Sequence, residues 1–169
     1  MTVKSSEVRI GQVIPHLVVD DAAGAVEFYK AAFGAREVYR STQPTGIGLH
    51  VHLRIGQSLV IVSDDDQSRD TRRLEAHYRI SSPKSLGGTS TVIQFFWPDA
   101  DTAYKRAVDA GAQPTLPPFD AFWGDRYGCV TDPYGHVWAI ATEHEVLEPA
   151  EVDRRMRAFA KGLRTEKTP

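Results

Sequence analysis

At 169 residues, 41% hydrophobic and 25% charged, the chain has the size and balance of one globular domain that buries about 70% of its unfolded surface, which excludes a disordered tail or a collagen-like repeat. Twenty Lys and Arg against 22 Asp and Glu leave a formal charge of −2 and a pI near 6.3, without the basic excess of a dedicated nucleic-acid binder. The lone Cys129 excludes an intramolecular disulfide and a thiolate-rich zinc site, and no apolar run has the length of a membrane span or a signal peptide's h-region, so a soluble, unprocessed, cytoplasmic protein is expected.

After a first ten residues expected to be flexible, the apolar run 13–19 is stopped by Asp20 and Asp21 and reads as a buried strand. Residues 22–33 carry Ala22, Ala25, Val26, Tyr29, Ala32 and Phe33 at helical spacing, and Gly34 ends that helix. Three strand-like runs follow at 36–41, 49–55 and 58–63, the last two joined by the turn Gly56-Gln57. The first half therefore reads βαβββ. Residues 64–88 are polar and lack clear periodicity, as a flap or a connector would be.

The second half repeats the order. A strand at 91–97 leads to an acidic helix start at Asp99 and Asp101, and Ala103, Tyr104, Ala107 and Val108 share one face before the stop at Gly111-Ala112. Laying Gly34-Ala35 on Gly111-Ala112 brings Val18 and Val19 close to Phe95 and Phe96, so the halves read as copies. Strands at 127–131 and 136–142 flank Asp132-Pro133-Tyr134-Gly135, whose Pro and Gly suit a type I turn. Val152, Met156, Phe159 and Ala160 then mark an amphipathic helix over 149–163. One domain over 11–145 is expected, built from modules 11–63 and 89–145 with the flap between them, followed by a helix and tail at 146–169.

The stretches IPHLVVDDAAGAVEFYKAAFGA, SPKSLGGTS and DAFWGDRYGCVTDPYGHVWAIATEH together resemble the vicinal oxygen chelate superfamily. The likeness is to its glyoxalase and bleomycin-resistance group, in the glyoxalase-like branch also labelled demethylubiquinone-methyltransferase-like. That resemblance implies an α+β fold: two βαβββ modules whose mixed sheets surround a concave cleft for a small molecule, often in a homodimer. Metal-dependent members take His and Glu ligands from the first and last strands of each module. Carried over by position, those places are Ile14, Val60, Thr91 or Val92, and Ala139. Apart from the hydroxyl of Thr91 they offer no donor that replaces a metal's hydration shell, so neither a metal nor another cofactor is expected.

Ile14 belongs to the cleft by resemblance, and strand alternation puts His16 and Val18 on the same face. In 49–55, Val51, Leu53 and Ile55 suit the helix side, which sends His50, His52 and Arg54 to the other. Three imidazoles converging from two strands are candidate acid–base groups, ligand contacts or a relocated metal site. An H-x-H pair on one strand is more often a solvated face, and His16 is at least as readily a hydrogen-bonded core residue. Gln94 lies in an apolar strand beside Phe96 and needs a partner for its amide. Trp123, Asp125, Arg126 and Tyr127, near Phe119 and Phe122, offer aromatic walls with polar handles, or a structural turn capped by Asp125 or Arg126. Trp138 is expected against the helices and His136 at the turn after Gly135. Glu143 and His144 point to opposite faces, and Cys129 reads as a small buried hydrophobe.

No G-x-S-x-G elbow, Walker loop or dinucleotide fingerprint is present. Two functions are therefore carried forward. One is metal-independent binding or conversion of a small apolar or aromatic molecule, with His16, His52, Arg54, Gln94, Phe96, Trp123, Asp125, Arg126 and Tyr127 as ligand contacts. The other is a lyase, isomerase or dioxygenase type of enzyme with a relocated site at His16, His50 and His52. The expected partners are the ligand and a second copy, with neither nucleic acid nor membrane.

Overall fold

Two mixed four-stranded sheets carry the chain, each built by one βαβββ half, in a computed structural model that describes residues 12–42, 48–65 and 80–165. The first half runs β1 (His16–Val19), α1 (Ala22–Phe33), β2 (Arg36–Thr42), β3 (Leu49–Ile55) and β4 (Ser58–Asp64). A short helix α2 (Pro83–Leu86) precedes β5 (Val92–Phe96), α3 (Ala100–Asp109), β6 (Gln113–Asp120), β7 (Asp125–Thr131), β8 (Val137–Glu143) and α4 (Pro149–Thr165). The sheet orders are β1-β4-β3-β2 and β5-β8-β7-β6, one topology used twice. The expected N-terminal arm and most of the expected flap lie outside the described residues.

Local chemistry sets the helix limits. Asp21 sits in extended backbone and accepts the Gly24 amide at 2.9 Å, while Gly34 at φ 63° closes α1 with its N–H on the Lys30 carbonyl at 3.1 Å. Asp99 caps α3 in the same way through the Thr102 amide. The buried stripe of α1 then meets α3 and the inner faces of both sheets in one core. Phe33 packs on Phe95 and Trp138, with ring centroids 5.1 and 4.7 Å apart, so a first-half helix fills the second-half sheet. Asp132, at the β7–β8 turn, is buried and takes hydrogen bonds from Tyr29 Oη, Trp138 Nε1 and the amides of Tyr134 and His136. Burial and the Asp132 charge push the Tyr29 phenol well above its ordinary range, which keeps it a donor that ties the two halves together.

Two expectations change. β1 begins at His16, not Val13, because the Pro15 carbonyl is the first to accept from β4, at the Ile61 amide, and Val13 is 96% exposed. β6 is a strand that the pattern hid: Pro114, Pro117 and Pro118 remove ladder donors, which only an edge strand tolerates, and its pairing with β7 shifts register twice.

Candidate functional site

Register separates the two faces of each sheet. Val51 pairs with Val62 and Leu53 with Val60, and all four are buried on the helix side. His50 therefore sits opposite Ser63, His52 opposite Ile61 and Arg54 opposite Leu59 on the bare face, where His16 joins them next to Ile61. Val60 thus belongs to the core, so the second ligand place carried over from metal-dependent relatives points away from the bare face. Its neighbours there, Leu59 and Ile61, are also apolar, and these positions do not fit a metal ion.

The three histidines form a row. His16 Nε2 lies 2.8 Å from Ser63 Oγ, and His50 Nε2 lies 3.0 Å from His52 Nε2. Ring centroids are 5.7 Å apart for His16 and His50 and 5.1 Å for His50 and His52, and Tyr39 of β2 extends the row 5.2 Å beyond His52. Burial, with repulsion from His50, lowers the His16 pKa below its ordinary value, so its ring stays neutral at pH 7 and is able to accept a proton. Tyr39 and Ser63 escaped sequence reasoning, since their place in the row depends on which residue of β3 each one faces.

The second sheet's bare face is aromatic. Tyr127 and Cys129 of β7 lie opposite Ala141 and Ala139 of β8, and β5 adds Val92, Gln94 and Phe96. Phe119 and Leu116 come from the unforeseen β6, paired to Tyr127 and Cys129. Trp123 contacts Phe119, Phe122 and Tyr127 edge-on and gives its indole N–H to Asp125 at 2.8 Å. Burial and the Cys129 thiol raise the Tyr127 phenol to about 12, so it remains a hydroxyl donor at neutral pH.

The residues expected in one cleft thus fall into separate groups. His16 stands with His50 and His52, and Trp123 and Asp125 stand with Tyr127. Phe96 lies open on the same sheet face, 59% exposed. Arg54, at the end of the histidine face, and Gln94, between Val92 and Phe96 on the aromatic face, also line a cavity of about 620 Å³ between the halves. Gln94 is exposed, so no buried amide demands a ligand there. Arg126 departs from the expectation more sharply: alternation turns it to the helix side, where it grips Asp101 through two bonds of 2.8 and 2.9 Å and reaches Asp120 at 3.2 Å. Trp138 packs among Tyr29, Phe33 and Phe95, Cys129 is buried, and His136 Nε2 reaches the Val18 carbonyl at 3.1 Å, all in structural places. Among the described residues no group of three or more His, Cys, Asp or Glu is arranged to hold a metal ion, and no helix is long and apolar enough to cross a membrane.

Paired βαβββ sheets with bare faces opposite their helices are the α+β architecture that the resemblance implied. Residues 9–140 match the family model of the Glyoxalase/Bleomycin resistance protein/Dioxygenase superfamily, and the chain belongs to that superfamily. The uncharacterized protein Rv0887c of Mycobacterium tuberculosis is 38% identical over 148 residues, covering 88% of this chain and 84% of that protein. Among solved structures, TioX from Micromonospora sp. ML1 superposes with a TM-score of 0.57 at 26% identity, over 79% of this chain and 98% of that one. A glyoxalase-related enzyme from Fulvimarina pelagi gives 0.61 at 19% identity, over 82% and 99%, which is a likeness of fold.

Proposed function

We propose that the chain binds a small, largely apolar or aromatic molecule in a cleft made by two copies, the aromatic face of one second sheet closing against the histidine row of the other copy's first sheet. The observation that carries this reading is the exposure of Phe96, Val92 and Leu116, at 59%, 56% and 40%, on the face that also holds Tyr127 and Phe119. Apolar side chains gathered on an open sheet face mark an interaction site, and rings with a few fixed polar groups are what ligand pockets offer. Asp125 and Tyr127 supply the polar handles. The ligand is held, or converted, without a metal at the superfamily's usual positions. Native mass spectrometry of protein purified without chelator, followed by calorimetric titration with planar antibiotics and quinone-like compounds, tests the reading. A dimer that binds one of them tighter than millimolar, and loses at least about tenfold on Trp123→Ala, is expected; binding no tighter than millimolar across the panel overturns it.

The neutral His16 ring and the His50–His52 contact favour a second reading, in which the row performs acid–base chemistry on a bound carbonyl or enediolate. Under it, His16→Ala and His52→Ala each abolish turnover in a folded protein. Unchanged activity in both variants removes it.

A further inference from the structure

The cavity between the halves belongs to neither bare face as a whole. Residues 12–15, the first residues of β4 and residues 93–95 of β5 line it. Its volume of about 620 Å³ lies within the range of small-molecule pockets. Ile14, Ile55, Leu59, Ile93, Phe95 and Trp138 supply apolar walls, and Arg54, Gln57 and Gln94 add polar groups to the lining.

Arg54 is the unusual member. Its Nη1 donates to the Gln57 carbonyl at 2.8 Å, which occupies one of five guanidinium N–H groups. No carboxylate pairs with it among the described residues, whereas Arg40, Arg126, Arg154 and Arg155 each hold at least one. The β2–β3 register places a second cation, Arg36, directly opposite Arg54. Like charges facing each other across a sheet repel. The acid next in sequence, Glu37, does not relieve them, because Arg40 and Lys30 engage its carboxylate. Arg54 lines the apolar cavity and Arg36, opposite it in the sheet, adds a second positive charge nearby, which makes the cavity a place for an anion with an apolar body.

We propose that this cavity binds a small amphipathic carboxylate, its head group forked onto Arg54 with Arg36 alongside and its apolar body against Leu59, Ile93 and Phe95. A monoanion is favoured because a single guanidinium lines the cavity, and the planar carboxylate matches its paired donors. The amides of Gln57 and Gln94 in the lining offer the second oxygen further donors. The site adjoins the two-copy cleft proposed above, since Arg54 shares the sheet face of His50 and His52 and Gln94 that of Phe96, and the variants below separate the two.

The test is calorimetric titration of the full chain with naphthalene-2-carboxylate and, separately, with its neutral carboxamide. The carboxylate is expected to bind in the micromolar range and the carboxamide at least about tenfold more weakly. Arg54→Gln weakens the carboxylate roughly ten- to a hundredfold, Arg36→Gln weakens it less, and Leu59→Trp fills the cavity and blocks it, with thermal unfolding of each variant confirming a folded chain. Phe96→Ala and Trp123→Ala, on the aromatic face, leave it unchanged. Equal affinity for acid and amide, indifference to Arg54→Gln, or no binding at millimolar ligand would overturn the proposal. So would loss of carboxylate binding in Phe96→Ala or Trp123→Ala with Arg54→Gln unaffected, since the acid would then lie on the aromatic face.

Discussion

Among single residues, His16 makes the clearest statement about pH. Its ring sits against Ser63 and His50, and burial together with the neighbouring imidazole holds its pKa below 6.5. Just below pH 6.5 the unfolded chain therefore takes up a proton that the folded chain refuses, so the stability linked to His16 is complete above that value and is lost as pH falls through the folded pKa. Gln in its place keeps a polar contact to Ser63 and cannot titrate. His16→Gln is expected to flatten the fall in unfolding free energy as pH drops below about 6.5, and at pH 8 to change stability by less than about 1 kcal/mol. Urea unfolding at a series of pH values reads both quantities. Parallel profiles for the two proteins would show that protonation of His16 does not limit acid stability.

At the scale of elements, the turn from Ala121 to Gly124 determines where the aromatic face ends. Gly124 has a φ of +103° and its carbonyl accepts from the amides of His144 and Glu145 at 3.1 and 3.0 Å, which fastens the turn bearing Trp123 to the end of β8. A Cβ at that position would lie 2.5 Å from the Glu145 carbonyl oxygen, and backbone at both sites would have to move. Gly124→Ala is expected to cost about 2 to 3 kcal/mol in chemical denaturation and to weaken ligand binding at Trp123. Gly88→Ala, where added carbon meets nothing within 4 Å, is the matched control and should be near neutral; equal effects of the two changes would refute the fastening. The sequence shows this architecture unevenly, and for physical reasons. The α1 stripe, its Asp21 and Gly34 caps, and the alternation of β3 are local patterns, and residues 22–33 and 49–55 fold as those patterns dictate. β6 is invisible because its prolines speak against a strand until an edge position and two register shifts are known. For the same reason Phe119 and Leu116 could not be placed on the aromatic face, and Ser63 and Tyr39 joined the histidine row only once β3 had its partners. Arg126 was the reverse case: its neighbours in sequence are aromatic, but alternation and the carboxylates of Asp101 and Asp120 draw it to the helix side.

For the whole molecule, the question is what covers the two bare faces. The helices of both halves join in one core, so within one chain the apolar cover is used up on the inner side. No hydrogen bond or ring contact among the described residues joins the histidine row to the aromatic face. Phe96 and Val92 share one face of β5 with Gln94 between them, and among the described residues β5 is an edge strand with no strand partner on its outer side. An open apolar edge of this kind is a hazard that proteins pair or cover, and in a twofold pairing each copy's histidine row would cover the other's aromatic face. The chain is therefore expected to run at twice its 18.7 kDa mass in light scattering at micromolar concentration, and Phe96→Glu, which would bury a carboxylate without a partner, is expected to halve that mass. Phe159 of α4, half-exposed beside Phe122, gives the competing interface a test of its own. If Phe159→Glu splits the dimer and Phe96→Glu does not, the copies meet through α4 and the aromatic face must take its cover from the ligand alone. A wild-type monomer at these concentrations would remove the two-copy cleft and leave the Arg54 cavity to stand on its own titration.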